Sequence, residues 1–351
     1  MSKQLCVTLW EGFNKVTEAR VALQTLLDNS DQDGLSADAV AAAIKTFEDQ
    51  KADYETLLNN STKLPDGRAI YATDYLALCK LAADNSLSTK IIFEKLEEDS
   101  LNSTRRVSKI RLAELELTNI SALKHLNALK NLNLHNNKIK DISPIQNLTS
   151  LTELYLCDNQ IVNIRPIENL TALKVLSLGD NKIVDISPTH NLTNLSSLNM
   201  DNNQITDIGP IRNLTTLTLL SLDNNQIVNL SPLQNLTALY ELSLNNNQIV
   251  DISPLQNLTA LPRLALMKNK IIDINPIQNL SALTWLFLSN NQISDISPVQ
   301  NLTALTWFTI ENNQIVDISP IQNLTALTNV SYKNNPLSKA SKAILAARRK
   351  K

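Results

Sequence analysis

Residues 283–304 read LTWLFLSNNQISDISPVQNLTA. The same phrase begins at Leu129, Leu151, Leu173, Leu195, Leu217, Leu239, Leu261 and Leu305, always 22 residues on, with no insertion or deletion. A diverged copy opens the series at Val107 and a truncated one closes it at Leu327. Self-similarity at a fixed period marks an array in which one supersecondary unit stacks on the next. The 283–304 copy carries Trp285 and Phe287 where most other copies carry small or polar residues.

With positions counted from the first Leu, the copies follow L-x-x-L-x-L-x-x-N-x-I-x-D-I-x-P-I-x-N-L-x-x. A short strand around positions 3–5 must turn its leucines inward, and one copy cannot bury them alone. Stacked copies share one continuous core. Asp or Asn at position 13, often Ser at 15, and Pro at 16 predict a polar N-cap followed by Pro in the first helical position. Nine prolines occupy that place, from Pro144 to Pro320. About four residues remain before the next Leu, too few for an α-helix, so 3₁₀ turns are expected. Position 9 is Asn in ten successive copies, from Asn137 to Asn335. Its amide is expected to point inward and satisfy backbone groups, because an unpaired buried amide is costly.

Ten in-register copies make this the leucine-rich-repeat signature. The phrase resembles the 22-residue subclass of the SDS22-like phosphatase regulators and the bacterial internalins. The resemblance covers roughly 107–335, about two thirds of the chain. It implies an α/β fold: a right-handed solenoid with a parallel concave sheet and 3₁₀ turns on the convex side, here preceded by a small all-α helical domain. It also implies a non-catalytic interaction scaffold that holds a protein partner on the concave face. The partner would be a phosphatase by analogy with the regulators. The alternative is a secreted bacterial effector engaging a host protein, as in the internalins.

Composition bounds the rest. Formal charge is −2, which gives no global attraction to nucleic acid or an anionic membrane. No stretch approaches the length of a membrane span. The start, MSKQLCVTLWEGFNKV, lacks the apolar run of a secretory signal. Three scattered cysteines (Cys6, Cys79 and Cys157) fit a reducing compartment. A cytoplasmic monomer is therefore expected, or else a protein secreted into a host by a non-classical system. The repeated Asn-Leu-Thr, first at Asn147, matches a glycosylation acceptor pattern, but its Leu recurs because it is a core residue.

Three regions are expected: a helical N-terminal cap over 1–103, the solenoid over 104–336, and a capping helix with a basic tail over 337–351. The first 106 residues carry 12 Lys/Arg against 17 Asp/Glu. Apolar residues there fall at helical spacing over 4–27, 36–59, 68–83 and 87–98, which predicts a small bundle. Asn29-Ser30-Asp31-Gln32-Asp33-Gly34 resembles the first half of an EF-hand loop, but Val40 stands where the bidentate carboxylate belongs, and the stretch reads as a helix–helix turn. A repeat array needs caps at its open ends. Leu115 and Ala122, in the Asn and Pro positions of the diverged copy, mark the coil the helices would cover. Leu337, Ala340, Ile344 and Leu345 predict an amphipathic helix at the far end, and Arg348-Arg349-Lys350-Lys351 a solvated, frayed tail.

No catalytic constellation is legible. Five dispersed glycines cannot build a phosphate-binding loop. His125, His135 and His190 share no metal-ligand spacing with each other or with cysteine, and no base accompanies Cys157 in register. No metal, cofactor or enzymatic activity is expected. Positions 2, 3, 5, 7 and 8 vary most and point out of the sheet, so they carry partner specificity. Tyr155 lies on the polar N-terminal half of that face. Tyr240, Arg263, Met267, Lys268, Trp285, Phe287, Trp307 and Glu311 gather within four neighbouring copies. Trp285 and Trp307 share position 3 and should stack one strand apart, with Arg263 preceding them in the column. Trp, Tyr and Arg dominate interface hot spots, which makes this cluster the candidate contact surface.

Overall fold

The computed structural model describes residues 12, 14–22, 37–59, 70–96 and 98–348. They fall into two compact units, Met1–Leu132 and Asn133–Lys351.

In the first unit, residues 14–22 form α1, followed by α2 (Ala37–Asn59), α3 (Ala72–Asp84) and α4 (Thr89–Glu94). α3 buries Tyr75, Leu76, Leu78, Cys79 and Leu81, and the Tyr75 ring stacks on Phe93 of α4 with centroids 5.1 Å apart. α4 opens on Ser88, whose hydroxyl accepts the Ile91 N–H. The expected four-helix bundle falls in part outside the described residues. Between positions 42 and 53 of α2 no side chain is fully buried, and Ile44 is 39% exposed. The EF-hand-like loop, Asn29–Gly34, lies outside the described residues, as do Cys6 and residues 349–351 of the basic tail.

α3 contacts the first coil. Strand β1 (Lys109–Arg111) belongs to the diverged copy, and a 3₁₀ turn over Ser121–His125 completes its outer side. Ile110, Leu112, Leu117, Ile120 and Leu123 fill the same core positions as in later copies. α3 packs on that 3₁₀ turn. Asn85, which ends α3, accepts the N–H groups of Thr118 and Asn119 and donates to the Asn119 carbonyl at 2.6 Å. Wholly buried Asp74 accepts Arg106 Nε at 3.0 and 3.1 Å and the Val107 N–H at 2.7 Å. That pair fixes the entry into the coil, since a buried carboxylate persists only when its oxygens are satisfied. β2 (Asn131–Asn133) closes the unit.

In the second unit, nine three-residue strands follow: β3 (Glu153–Tyr155), β4 (Val175–Ser177), β5 (Ser197–Asn199), β6 (Leu219–Ser221), β7 (Glu241–Ser243), β8 (Arg263–Ala265), β9 (Trp285–Phe287), β10 (Trp307–Thr309) and β11 (Asn329–Ser331). They pair in parallel, in chain order, with equivalent positions opposite each other; Trp285, for example, faces Arg263 on one side and Trp307 on the other. The middle residue of each strand from β3 to β10 is buried, and the apolar residues at positions 1, 6, 11, 14 and 20 complete a continuous core. On the outer side the chain runs through 3₁₀ turns such as Ser143–Ile145 and Ser253–Leu255. Pro is the second residue of these turns and not the first. The position-13 Asp holds the position-15 N–H instead of capping the turn directly: Asp141 accepts the Ser143 N–H at 2.8 Å and its hydroxyl at 2.9 Å.

Two polar ladders run along the array. The position-9 amides form the expected one. Asn159 donates to Leu134 O and Leu156 O at 3.0 and 3.1 Å and accepts the Ile139 N–H at 3.0 Å. The same geometry repeats from Asn181 to Asn335. The other ladder is at position 7 and was not expected. Asp201 accepts the Asp223 N–H at 2.7 Å, Asp223 the Asn245 N–H at 2.7 Å, and Asn245 the Met267 N–H at 2.8 Å. Position 8 carries a third constraint. Its residue has φ between 52° and 62° in every copy from Asn136 to Asn334. Asn and Asp tolerate this left-handed conformation better than other non-glycine residues, which explains their recurrence there.

The far end is closed by α5 (Lys339–Arg348). Leu337, Ser341 and Leu345 are buried, whereas Ala340, expected on the packed face, is exposed. Ser341 Oγ donates to Val316 O and accepts the Ile318 N–H. Arg348 is not part of a frayed tail. Its guanidinium donates to the carbonyls of Ile321, Leu324 and Leu327 at 2.8–3.0 Å, which ties the helix to the last coil.

Candidate partner-binding face

The first and third residues of each strand point away from the core, so positions 3 and 5 form two parallel columns on the exposed sheet face. From β6 to β10 the position-3 column reads Leu219, Glu241, Arg263, Trp285, Trp307. Phe287 stands on the same face of β9, two residues from Trp285. The structure brings these residues together. Trp285 and Trp307 meet edge to face with centroids 5.8 Å apart, Phe287 meets Trp307 at 5.4 Å, and Phe287 lies 6.3 Å from Trp285. Such contacts contribute about 0.5–1.5 kcal/mol each beyond area burial. The cluster thus holds its own shape without a ligand.

Arg263 extends the cluster. Its guanidinium carbon lies 4.1 Å from the centre of the Trp285 ring and 5.3 Å from that of Tyr240. Nη1 also donates to Glu241 Oε2 at 3.1 Å. A planar cation held between two rings is a rigid element whose ordering is complete before any partner arrives. Tyr240 and Trp307 remain 49% and 41% exposed, so a large aromatic surface faces solvent. Thr309 Oγ1, on the strand paired with β9, is shielded from solvent and has no hydrogen-bond partner.

The other sequence-predicted residues divide. Met267 and Glu311 lie at position 7, where their N–H groups are held by Asn245 Oδ1 and Ser289 Oγ. Lys268 is exposed at position 8 with φ 55°, the one Lys in a column otherwise filled by Asn and Asp. A Lys gains nothing locally from that conformation. Lys268→Asn is therefore expected to stabilise the protein by roughly 1 kcal/mol, read as an upward shift of the urea midpoint. Tyr155 is not part of the cluster. It lies on β3, six strand steps and about 29 Å from Trp285, and its hydroxyl donates to Glu153 Oε2 at 3.0 Å. Burial, then Glu153, pushes that phenol above its usual pKa.

Leu219 and Glu241 were missed in the sequence. Leu219 is 41% exposed at position 3. Its signal was an extra Leu in a place the consensus leaves open, hidden among core leucines in L-T-L-L-S-L. Burial raises the Cys157 thiol pKa, and its Sγ lies 2.8 Å from Ser177 Oγ. Among the described residues no group of three or more His, Cys, Asp or Glu is placed to hold a metal ion. Among them, too, no helix is long and apolar enough to cross a membrane.

A family model for paired leucine-rich repeats matches residues 127–169, 149–188, 171–213, 215–257 and 281–323. No curated protein sequence matches the chain. Among solved structures, an internalin (inlF) from Listeria monocytogenes is 38% identical, with a TM-score of 0.65 over 68% of this chain and 77% of that one. A leucine-rich-repeat protein of Leptospira interrogans is 25% identical, with a TM-score of 0.64 over 69% of this chain and 70% of that one. The chain belongs to the leucine-rich-repeat proteins, and its array is internalin-like. Leucine-rich-repeat domains generally bind proteins.

Proposed function

We propose that the chain is a non-catalytic, internalin-like interaction module that is exported by a bacterium and engages a host protein with its sheet face. The single observation behind this reading is the Trp285–Phe287–Trp307 cluster, with Arg263 stacked on it, at strand positions that face away from the core. The scaffold requires no aromatic there: other copies hold the same strand with Ser, Asn or Glu. Exposed aromatic and Arg side chains in a fixed arrangement are the composition of binding hot spots, and contiguous exposed apolar surface marks a partner site. The likeness to the Listeria internalin favours this reading over a phosphatase regulator inside the producing cell.

The test is a screen of the full chain against an array of host extracellular proteins, repeated with Trp285→Ala/Trp307→Ala. The expected result is a saturable partner whose affinity falls at least 100-fold in the double variant, since hot-spot truncations cost about 2 kcal/mol or more each. The circular-dichroism spectrum should stay unchanged and the melt should remain cooperative, lowered only by the lost ring contacts. A partner that binds both proteins equally would reject the reading, and so would an array with no partner.

A further inference from the structure

Charge departs from the repeat as systematically as aromaticity does, and on the same face. Four successive copies place a carboxylate at position 7 or 8: Asp158, Asp180, Asp201 and Asp223. The scaffold does not ask for charge at either position. At position 8 the left-handed backbone is served by Asn in most other copies. At position 7, Asn245 performs the hydrogen bonding of Asp201 and Asp223 by holding the next copy's N–H through its amide oxygen. With Glu153 on β3, this part of the face carries five acids against one base, Lys174. Around the aromatic cluster the balance reverses: Glu241 is paired with Arg263, and Lys268 and Lys333 stand against Glu311.

Two of the four carboxylates, Asp201 and Asp223, are held in place by the scaffold, whereas Asp158 and Asp180 are exposed. Ser221 Oγ and Ser243 Oγ donate to Asp201 and Asp223 at 2.7 Å, and Asn199 donates to Asp201 at 2.8 Å. Burial first, and then the neighbouring Asp223 charge, raises the Asp201 carboxyl above its ordinary pKa, so a nearby cation would relieve a repulsion already present. At about 4.8 Å per strand step, the acidic copies begin about 14 Å from Trp285 and end about 29 Å away. Some four to nine residues of extended chain span those distances.

Building on the reading above, we infer that the occupant of this face is a polypeptide of two unlike parts. An apolar or aromatic segment lies over Trp285 and Trp307, and a Lys/Arg-rich segment lies over Asp158 to Asp223. Fixed potential of one sign, placed beside an apolar anchor, sets the register and direction of a bound chain and speeds its capture.

The experiment selects binders to the immobilised full chain from a displayed library of random peptides about twelve residues long, enough to span the distance. The peptides are then measured on two variants. Asp158→Asn/Asp180→Asn installs the residues other copies already carry, so the fold should be kept. Trp285→Ala/Trp307→Ala tests the reading beneath. The expected peptides carry a basic cluster at one end and apolar residues at the other. Their affinity should fall about tenfold on the charge variant in 50 mM NaCl, with the difference gone in 500 mM NaCl, where exposed charges are screened. Peptides lost on the Trp variant, yet lacking a basic cluster or indifferent to the Asp variant, overturn this inference and leave the reading above standing. Peptides indifferent to both variants, or no selected peptides, overturn both.

Discussion

Asn225→Ala is expected to lower the stability of the repeat array by about 2–4 kcal/mol, and Asn225→Asp by at least as much. Asn225 is 8% exposed in the middle of the position-9 ladder. Its amide N–H groups reach Met200 O at 3.0 Å and the carbonyls of Leu222 and Asp223 at 3.2 Å, and its Oδ1 accepts the Ile205 N–H at 3.0 Å. After truncation all three carbonyls keep a donor, because Asn203 also reaches Met200 O, Asn247 also reaches Leu222 O, and the Asn202 N–H donates to Asp223 O. The Ile205 N–H keeps none. Its desolvation, added to the lost bonds and the small void, gives the stated magnitude. The Asp variant separates shape from chemistry. It preserves the acceptor for Ile205 and nearly preserves the volume, but aims a buried carboxylate at the Met200 and Leu222 carbonyls. Urea unfolding at neutral pH should rank wild type above Ala, and Ala equal to or above Asp. Lowering the pH should recover part of the Asp loss, because protonation removes the buried charge. An Asp variant as stable as wild type at neutral pH would show that the ladder fills space and does not bond.

The ladder was legible in the sequence because one residue type recurs at one position in every regular copy. The constraints at positions 7 and 8 were not, and the reason is chemical. At position 7 Asp201, Asp223, Asn245 and Ser289 hold the next copy's N–H while Gly179 and Met267 do not, so the column looks variable. Position 8 needs tolerance of positive φ, so Asn and Asp mix there and read as free polar surface. Both columns were expected to report function more than scaffold. The structure gives both columns a scaffold role, so only the departures within them, such as Lys268 and the run of carboxylates from Asp158 to Asp223, are left to distinguish one copy from another. The aromatic cluster was legible for the same reason: Trp285 and Trp307 depart from small or polar neighbours, and a period of 22 residues puts them side by side. The Arg263–Glu241 pair was equally implied by that register and went unread, since acid and base stand 22 residues apart. Helical spacing could place α2 but not show whether its apolar stripe is covered. Spacing fixes which residues share a face, and only a partner element decides whether that face is buried.

Scaffold and site can be separated within one strand, which gives the last prediction. β10 reads Trp307, Phe308, Thr309, with Trp307 41% exposed and Phe308 fully buried. Phe308 stands at position 4, where the neighbouring strand has Leu286 on one side and the smaller Val330 on the other. Phe308→Ala should cost about 3–5 kcal/mol, the transfer energy of the ring plus the cavity it leaves. Phe308→Leu restores the consensus residue and should cost about 1 kcal/mol, because it leaves a smaller void. Trp307→Ala removes a larger side chain but should cost less, about 1–2 kcal/mol, since much of the ring is already in water and its two edge contacts are the main loss. Against Phe308→Ala, the order for partner or selected-peptide binding should invert: Trp307→Ala weak, with Phe308→Leu near wild type. Thermal melts and titrations on the three variants read both orders. If Trp307→Ala lowered stability as much as Phe308→Ala, the aromatic cluster would be a structural element of the sheet, and the binding assignment would fall with it. If the two orders invert, the inward residues of this phrase build the solenoid and the outward ones address its partner.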